Sequence, residues 1–127
     1  MAKAEGRGYA RDGMEAIDAG CLETFAYKGE GEVITITTSE FSAVCPFSGL
    51  PDIARVIIQY VPRNRCVELK SLKYYFLSYR NVGIYQEMAT KRIYDDLRKA
   101  IKPQKLRVET VYNTRGGMDV SCVKGSI

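Results

Sequence analysis

Glu32-Val33-Ile34-Thr35-Ile36-Thr37-Thr38 is the stretch on which the fold turns. It alternates apolar and polar positions and is rich in β-branched residues, the pattern of a strand with one buried face. Cys21-Leu22-Glu23-Thr24-Phe25-Ala26-Tyr27 alternates in the same way, with Lys28-Gly29-Glu30-Gly31 between them as turn material, so the two are expected to form a hairpin. Gly29 and Gly31 are not a dinucleotide fingerprint, because a β-branched strand and not a helix follows them. Downstream, Ala54 to Val61 reads as a third strand closed by Pro62-Arg63-Asn64-Arg65. Lys105 to Tyr112 and Met118 to Val123 read as two more, around the turn Asn113-Thr114-Arg115-Gly116-Gly117, whose glycines suit positive φ.

Between these strands the period changes. Glu68 to Arg80 places Leu69, Leu72, Phe76 and Tyr79 on one helical face, and Ile84, Met88, Tyr94, Leu97 and Ile101 mark a second amphipathic helix ending before Pro103. Lys91, Arg92, Asp95, Asp96 and Arg98 are expected in solvent. The order strand, strand, strand, helix, helix, strand, strand gives an α+β domain, an antiparallel sheet with two helices on one face. Residues 1–20, rich in Gly, Ala and charge without a period, are expected as a loose arm, with residues 21–127 forming one domain. The sheet leaves open edges, so a homo-oligomer is expected, with a barrel closed between subunits and a site shared across the interface.

Composition narrows the chemistry. At 127 residues, 46% hydrophobic and 27% charged, the chain is long enough for one core, and its net charge of +4 suits an anionic ligand without demanding nucleic acid. No apolar run reaches membrane-spanning length, and Met1 to Gly8 lacks a signal-type apolar segment, so a soluble cytoplasmic protein is expected. Cys21, Cys45, Cys66 and Cys122 show no CxxC pair and are expected as reduced thiols. There is no histidine. That argues against a structural metal site and excludes Ser-His-Asp and Cys-His catalysis, leaving proton chemistry to Asp, Glu, Lys, Tyr or Cys.

Glu40 to Asp52 holds Cys45 and Asp52 on either side of a turn containing Pro46, Gly49 and Pro51. The restricted turn can bring thiol and carboxylate to one small volume, the arrangement of a nucleophile and its proton carrier. A small buried hydrophobe at a strand end is the other reading of Cys45. Glu68-Leu69-Lys70-Ser71-Leu72-Lys73-Tyr74-Tyr75 puts two lysines one turn apart at a helix start, which suits phosphate, although such a pair is more often a solvated face.

That octapeptide resembles the signature of the NADPH-dependent 7-cyano-7-deazaguanine reductases, the nitrile reductases of queuosine biosynthesis. Cys45-Pro46 with Asp52 is similar to their nucleophile region, and Ser78-Tyr79-Arg80-Asn81 ahead of Glu87 and Thr114-Arg115-Gly116-Gly117 extend the likeness over residues 35–120, in the short single-domain type. The resemblance implies the tunnelling fold, in which subunits join their sheets into a barrel and build sites at their interfaces. It implies that Cys45 forms a thioimide with the nitrile, that Asp52 supplies a proton, and that NADPH delivers two hydrides to give 7-aminomethyl-7-deazaguanine. By the same resemblance Val67, Glu68, Leu69, Gln86 and Glu87 would line the substrate pocket, and Leu69, Lys70, Lys73, Arg115 and Gly116 would meet the cofactor.

Two positions depart from the family pattern. Gln86 stands where members usually carry His, which leaves an amide where an imidazole is usual, and Leu69 stands where many have Ser. Two other readings compete. An amidinotransferase relative that acts on the nitrile in archaeal tRNA would keep Cys45 and Asp52 but lack the octapeptide. A basic RNA-binding module would use Lys73-Tyr74-Tyr75 and Tyr79-Arg80, yet it gives Cys45 and Asp52 no purpose.

Overall fold

The computed structural model describes residues 5–127. The alternating stretches become a four-stranded antiparallel sheet in the order β2-β3-β5-β6, with β2 at Ile34–Val44, β3 at Pro51–Val61, β5 at Lys105–Tyr112 and β6 at Ser121–Ser126. β2 and β3 form a long hairpin whose register shifts between Thr38 and Phe41, a bulge that keeps Phe41 and Ala43 facing the core. Strand alternation puts Val56, Ile58 and Tyr60 of β3 and Val108 of β5 on that same buried face.

Two helices cover it: α1, Leu69–Leu77, and α2, Gln86–Ile101. α2 stops where Lys102 turns left-handed (φ 50°), one residue before Pro103, as the sequence predicts. It sets Ala89, Ile93, Leu97 and Ile101 into the sheet, all fully buried. Among the described residues, no helix is long and apolar enough to cross a membrane.

Several expectations change. The stretch around Thr24–Ala26 (β1) does not pair with β2. It pairs antiparallel with Arg65–Val67 (β4), Thr24 opposite Val67, in a separate two-stranded sheet. Alternation says that a strand has two faces and not which neighbour it takes, and β4 was hidden in a segment read as a closing turn. Leu72 and Phe76 on α1, and Tyr79 in the turn after it, are buried as expected, but Leu69 is 61% exposed and Tyr75 takes its place inside. Met88 is exposed, whereas Asp96, expected in solvent, accepts from the Tyr75 hydroxyl at 2.7 Å and from Arg92 Nε at 2.8 Å. The Tyr79 hydroxyl lies 2.7 Å from that of Tyr75, so this chain of polar groups ties α1 to α2. The last strand starts at Ser121, because Arg115 and Met118 exchange backbone hydrogen bonds and close a tight turn.

The arm is less loose than the sequence predicts. Short 3-10 turns at Met14–Ala16 and Ala19–Cys21 flank Ile17, which is 6% exposed in the core, and Asp12 bridges to Val82. Met14, Ala16 and Ala19 pack partly buried beside Ile17, an irregular set with no helical or strand period to reveal it. Met1 to Ala4, the start of the expected arm, lie outside the described residues.

Ile93 is fully buried between α2 and the sheet. Ile93→Ala should lower unfolding free energy by about 2–5 kcal/mol, read as a lower urea midpoint with an unchanged denaturant slope.

Candidate active site

The β2–β3 turn closes on itself. Cys45 N–H donates to the Leu50 carbonyl at 2.8 Å, and Gly49 N–H donates to the Cys45 carbonyl at 2.9 Å, with Gly49 left-handed at φ 74°. Asp52 sits opposite Ala43 on the core-facing side of β3, so the hairpin brings thiol and carboxylate together across the turn. Asp52 is 5% exposed.

Two further segments complete the walls. Val44, the last residue of β2, donates to the Val82 carbonyl at 3.0 Å and accepts from Ile84 N–H at 3.2 Å, which delivers the start of α2 beside Cys45. The Thr90 hydroxyl lies 3.1 Å from the Gln86 carbonyl and 2.6 Å from the fully buried Thr110 hydroxyl, so the first turn of α2 is also tied to β5. After β5, Asn113 N–H donates to Ile53, and the chain reverses through Gly116 (φ 58°) and Gly117 (φ 76°), a turn with both central residues left-handed. The result is a cleft of about 310 Å³ lined by Cys45, Asp52, Gln86, Glu87 and Arg115, with Tyr85, Asn113 and Met118.

Charge in the cleft is balanced locally. Arg115 forms an ion pair with Asp52, whose Oδ1 has no directed hydrogen bond, so the guanidinium is what compensates the buried carboxylate. The Cys45 thiol is held below the ordinary thiol value, first by the Ser48 backbone N–H and then by the Ser48 hydroxyl. Phe47 N–H and the Arg115 charge add to this, and burial opposes it. The turn thus acts as a small nest of donors around the sulfur. Such a site can deliver a thiolate to an electrophilic carbon, with a carboxyl group near enough to move a proton.

The octapeptide lies elsewhere in this chain. Val67 and Leu69 line a groove of about 410 Å³ with Phe25, Tyr27, Ile34 and Ile36, and Lys73 lines a second of about 190 Å³ with Leu72 and Glu40. Neither groove shares a residue with the Cys45 cleft. The Glu68 carboxylate caps α1, accepting from Lys70 N–H and Ser71 N–H, each at 2.8 Å. The first helix therefore does not present free amides to a phosphate as the sequence suggested, and those same N–H groups hold the Glu68 carboxyl below its ordinary value. Lys70 is exposed, and Lys73 makes only a loose, exposed pair with Glu40 at 4.0 Å. Arg115, grouped with Lys70 by the family resemblance, stands on Asp52 in the other cleft, with Gly116 in its turn.

Ser48 and Tyr85 escaped the sequence reading. Ser48 sits in the quoted turn, but nothing in its spacing says that it folds back on Cys45. Tyr85 precedes the quoted Gln86, and its ring meets Phe47 edge-on with centroids 5.9 Å apart.

Comparison with known proteins places the chain in a family. A family model described as QueF-like protein matches residues 51–126. Proteins named NADPH-dependent 7-cyano-7-deazaguanine reductase from Thermotoga petrophila and Thermotoga maritima are each 57% identical over 128 residues, covering 100% of this chain and 93% of theirs. One of that name from Caldicellulosiruptor bescii is 48% identical over 113 residues, 87% of this chain and 86% of its own. A crystal structure of the apo archaeosine synthase QueF-Like superposes with a TM-score of 0.70 over 76% of this chain and 95% of that one. Its 24% identity bears on the fold alone, the α+β tunnelling fold. By sequence over its whole length and by the matched family model, the chain belongs to the QueF-like family, among the NADPH-dependent 7-cyano-7-deazaguanine reductases.

Proposed function

We propose that this protein uses NADPH to reduce the nitrile of 7-cyano-7-deazaguanine to the primary amine 7-aminomethyl-7-deazaguanine, in queuosine tRNA modification, through a thioimide on Cys45. The observation that carries the reading is the convergence of Cys45, Asp52, Glu87 and Arg115 on one cleft, in a chain 57% identical to reductases of that name.

Cys45 adds to the nitrile carbon. The S–C bond forms as one C–N π bond breaks, and the thiol's proton passes through Asp52 to the nitrogen, giving a C=N that accepts hydride. When bound, NADPH supplies hydride at carbon, once to the thioimide and once to the imine left after the C–S bond breaks. Cys45 leaves as a thiolate, which its Ser48 donors stabilise, and Asp52 carries protons to the nitrogen as it becomes an amine. Glu87, exposed on the first turn of α2, accepts from a ring N–H and an exocyclic amine of the guanine-like edge, and Gln86 adds a neutral amide.

The cofactor fits exposed Lys70 and Lys73 beside exposed Leu69, which offer cations for phosphate next to an apolar surface. Because Glu68 occupies the α1 amides, side chains and not the helix backbone would hold the phosphates. Val67, Glu68, Leu69, Lys70 and Lys73 would reach a Cys45 cleft from a neighbouring subunit. β2 and β6 each pair on one side only, so both sheet edges are open to join neighbours into a barrel. We assign the reaction to the cytoplasm, in keeping with the free thiols of Cys21, Cys45, Cys66 and Cys122. Residues 21–127, with Ile17 of the arm set into their core, act as the reductase domain.

Mixing the protein with 7-cyano-7-deazaguanine should give a covalent mass adduct, absent in Cys45→Ala. Adding NADPH should consume two equivalents per nitrile. An adduct without NADPH oxidation would instead indicate the amidinotransferase reaction, and no adduct would leave the RNA-binding module.

Because the Cys45 thiol is held below its ordinary value, its alkylation by iodoacetamide should persist to lower pH than that of a free thiol, followed on the Cys45 peptide by mass spectrometry. Ser48→Ala removes the hydroxyl donor. The midpoint should move to higher pH, with the rate at neutral pH falling roughly threefold.

A further inference from the structure

The described part of the N-terminal arm runs across the back of the nucleophile turn. Tyr9 N–H donates to the Ser48 carbonyl at 2.9 Å, and the Arg11 guanidinium donates to the Tyr9 carbonyl at 2.8 Å. Asp12 N–H donates to Asn81 at 2.7 Å, while the Asp12 carbonyl accepts from Gly83 N–H at 2.9 Å. The arm thus bonds both to the turn that carries Cys45 and to the segment that delivers α2 to the cleft.

The two surfaces are shaped for each other. A Cβ on Gly49 would stand 2.6 Å from the Tyr9 carbonyl, and one on Gly83 would stand 3.3 Å from Pro46 Cα and 3.4 Å from the Arg11 side chain. Glycine at both positions lets three backbones approach closely. Tyr9 itself is 51% exposed, so its side chain does not anchor the contact. Its backbone does.

We propose that residues 9–12 are a positioning strap, which by the Tyr9 N–H bond to the Ser48 carbonyl holds the turn that carries Cys45 in its reactive form. The Ser48–Gly49 peptide is held from both sides, its carbonyl by Tyr9 N–H of the arm and its N–H by the Cys45 carbonyl, so the arm and the nucleophile share one peptide plane. Without the arm that peptide keeps only its bond to Cys45, and the turn loosens around the thiol and the Ser48 side chain. Other charged or titratable groups face the same cleft: Asp52 from β3, Tyr85 and Glu87 at the start of α2, and Arg115 from the β5–β6 turn. None of them is changed by a substitution at Tyr9.

Tyr9→Pro removes the donor and keeps the chain, whereas Tyr9→Ala keeps the donor and removes the ring. The readout is iodoacetamide alkylation of the Cys45 peptide across pH, which needs neither substrate nor cofactor, so its outcome is separable from that of the proposed reaction. Tyr9→Pro should slow alkylation at neutral pH by roughly threefold and move the midpoint upward. Tyr9→Ala should match the parent protein. If Tyr9→Pro does not fold, removal of residues 1–9, which leaves Arg11 and Asp12 in place, should give the same slowing. An unshifted profile in the folded donor-less variant, or an equal shift in Tyr9→Ala, overturns the strap.

Discussion

Val44 ends β2 with its backbone turned outward, and its two hydrogen bonds to Val82 and Ile84 hold the molecule's functional half together. In the antiparallel ladder the hydrogen-bonded pair falls on Cys45 and Leu50, so Val44, one residue back and opposite Pro51, points its N–H and C=O away from β3. That exchange turns a hairpin end into a junction. The connection between the helices is stitched to the strand one residue before Cys45, and the first turn of α2 arrives beside the thiol. The buried Thr90 and Thr110 hydroxyls then fix the same turn against β5.

Most of the scaffold was legible because periodicity reports burial. β2, β3 and β5 alternate, and α2 repeats its apolar residues every three to four positions. Pairing was not legible, because β1 has the same alternation whichever partner it takes, and three-residue β4 is too short to carry a pattern. On α1 the apolar spacing fits two overlapping faces. Tyr75 wins over Leu69 because its hydroxyl finds Tyr79 and Asp96 when buried, a reward invisible to a hydrophobic count.

The candidate site divides in a similar way. Cys45, Asp52, Glu87 and Arg115 could be named from resemblance, and the fold gathers them around one cleft. Ser48 could not, since a donor that folds back on a sulfur depends on torsions three residues away and not on composition. The octapeptide was legible as a motif, yet its place was not. Glu68 spends its carboxylate on its own helix, and Lys70 and Lys73 look outward from a different groove. If the site is shared between subunits as proposed, each half alone is expected to look incomplete.

The glycine turn after β5 has a consequence that reaches past its own residues. Arg115 meets Asp52 because Gly116 and Gly117 both take torsions of the mirror-image hand, a geometry that side chains of ordinary chirality resist. The neutralisation of a nearly inaccessible acid therefore hangs on two residues with no side chain and no charge. Handedness of the backbone, two residues along the chain, decides whether this buried carboxylate keeps its counterion.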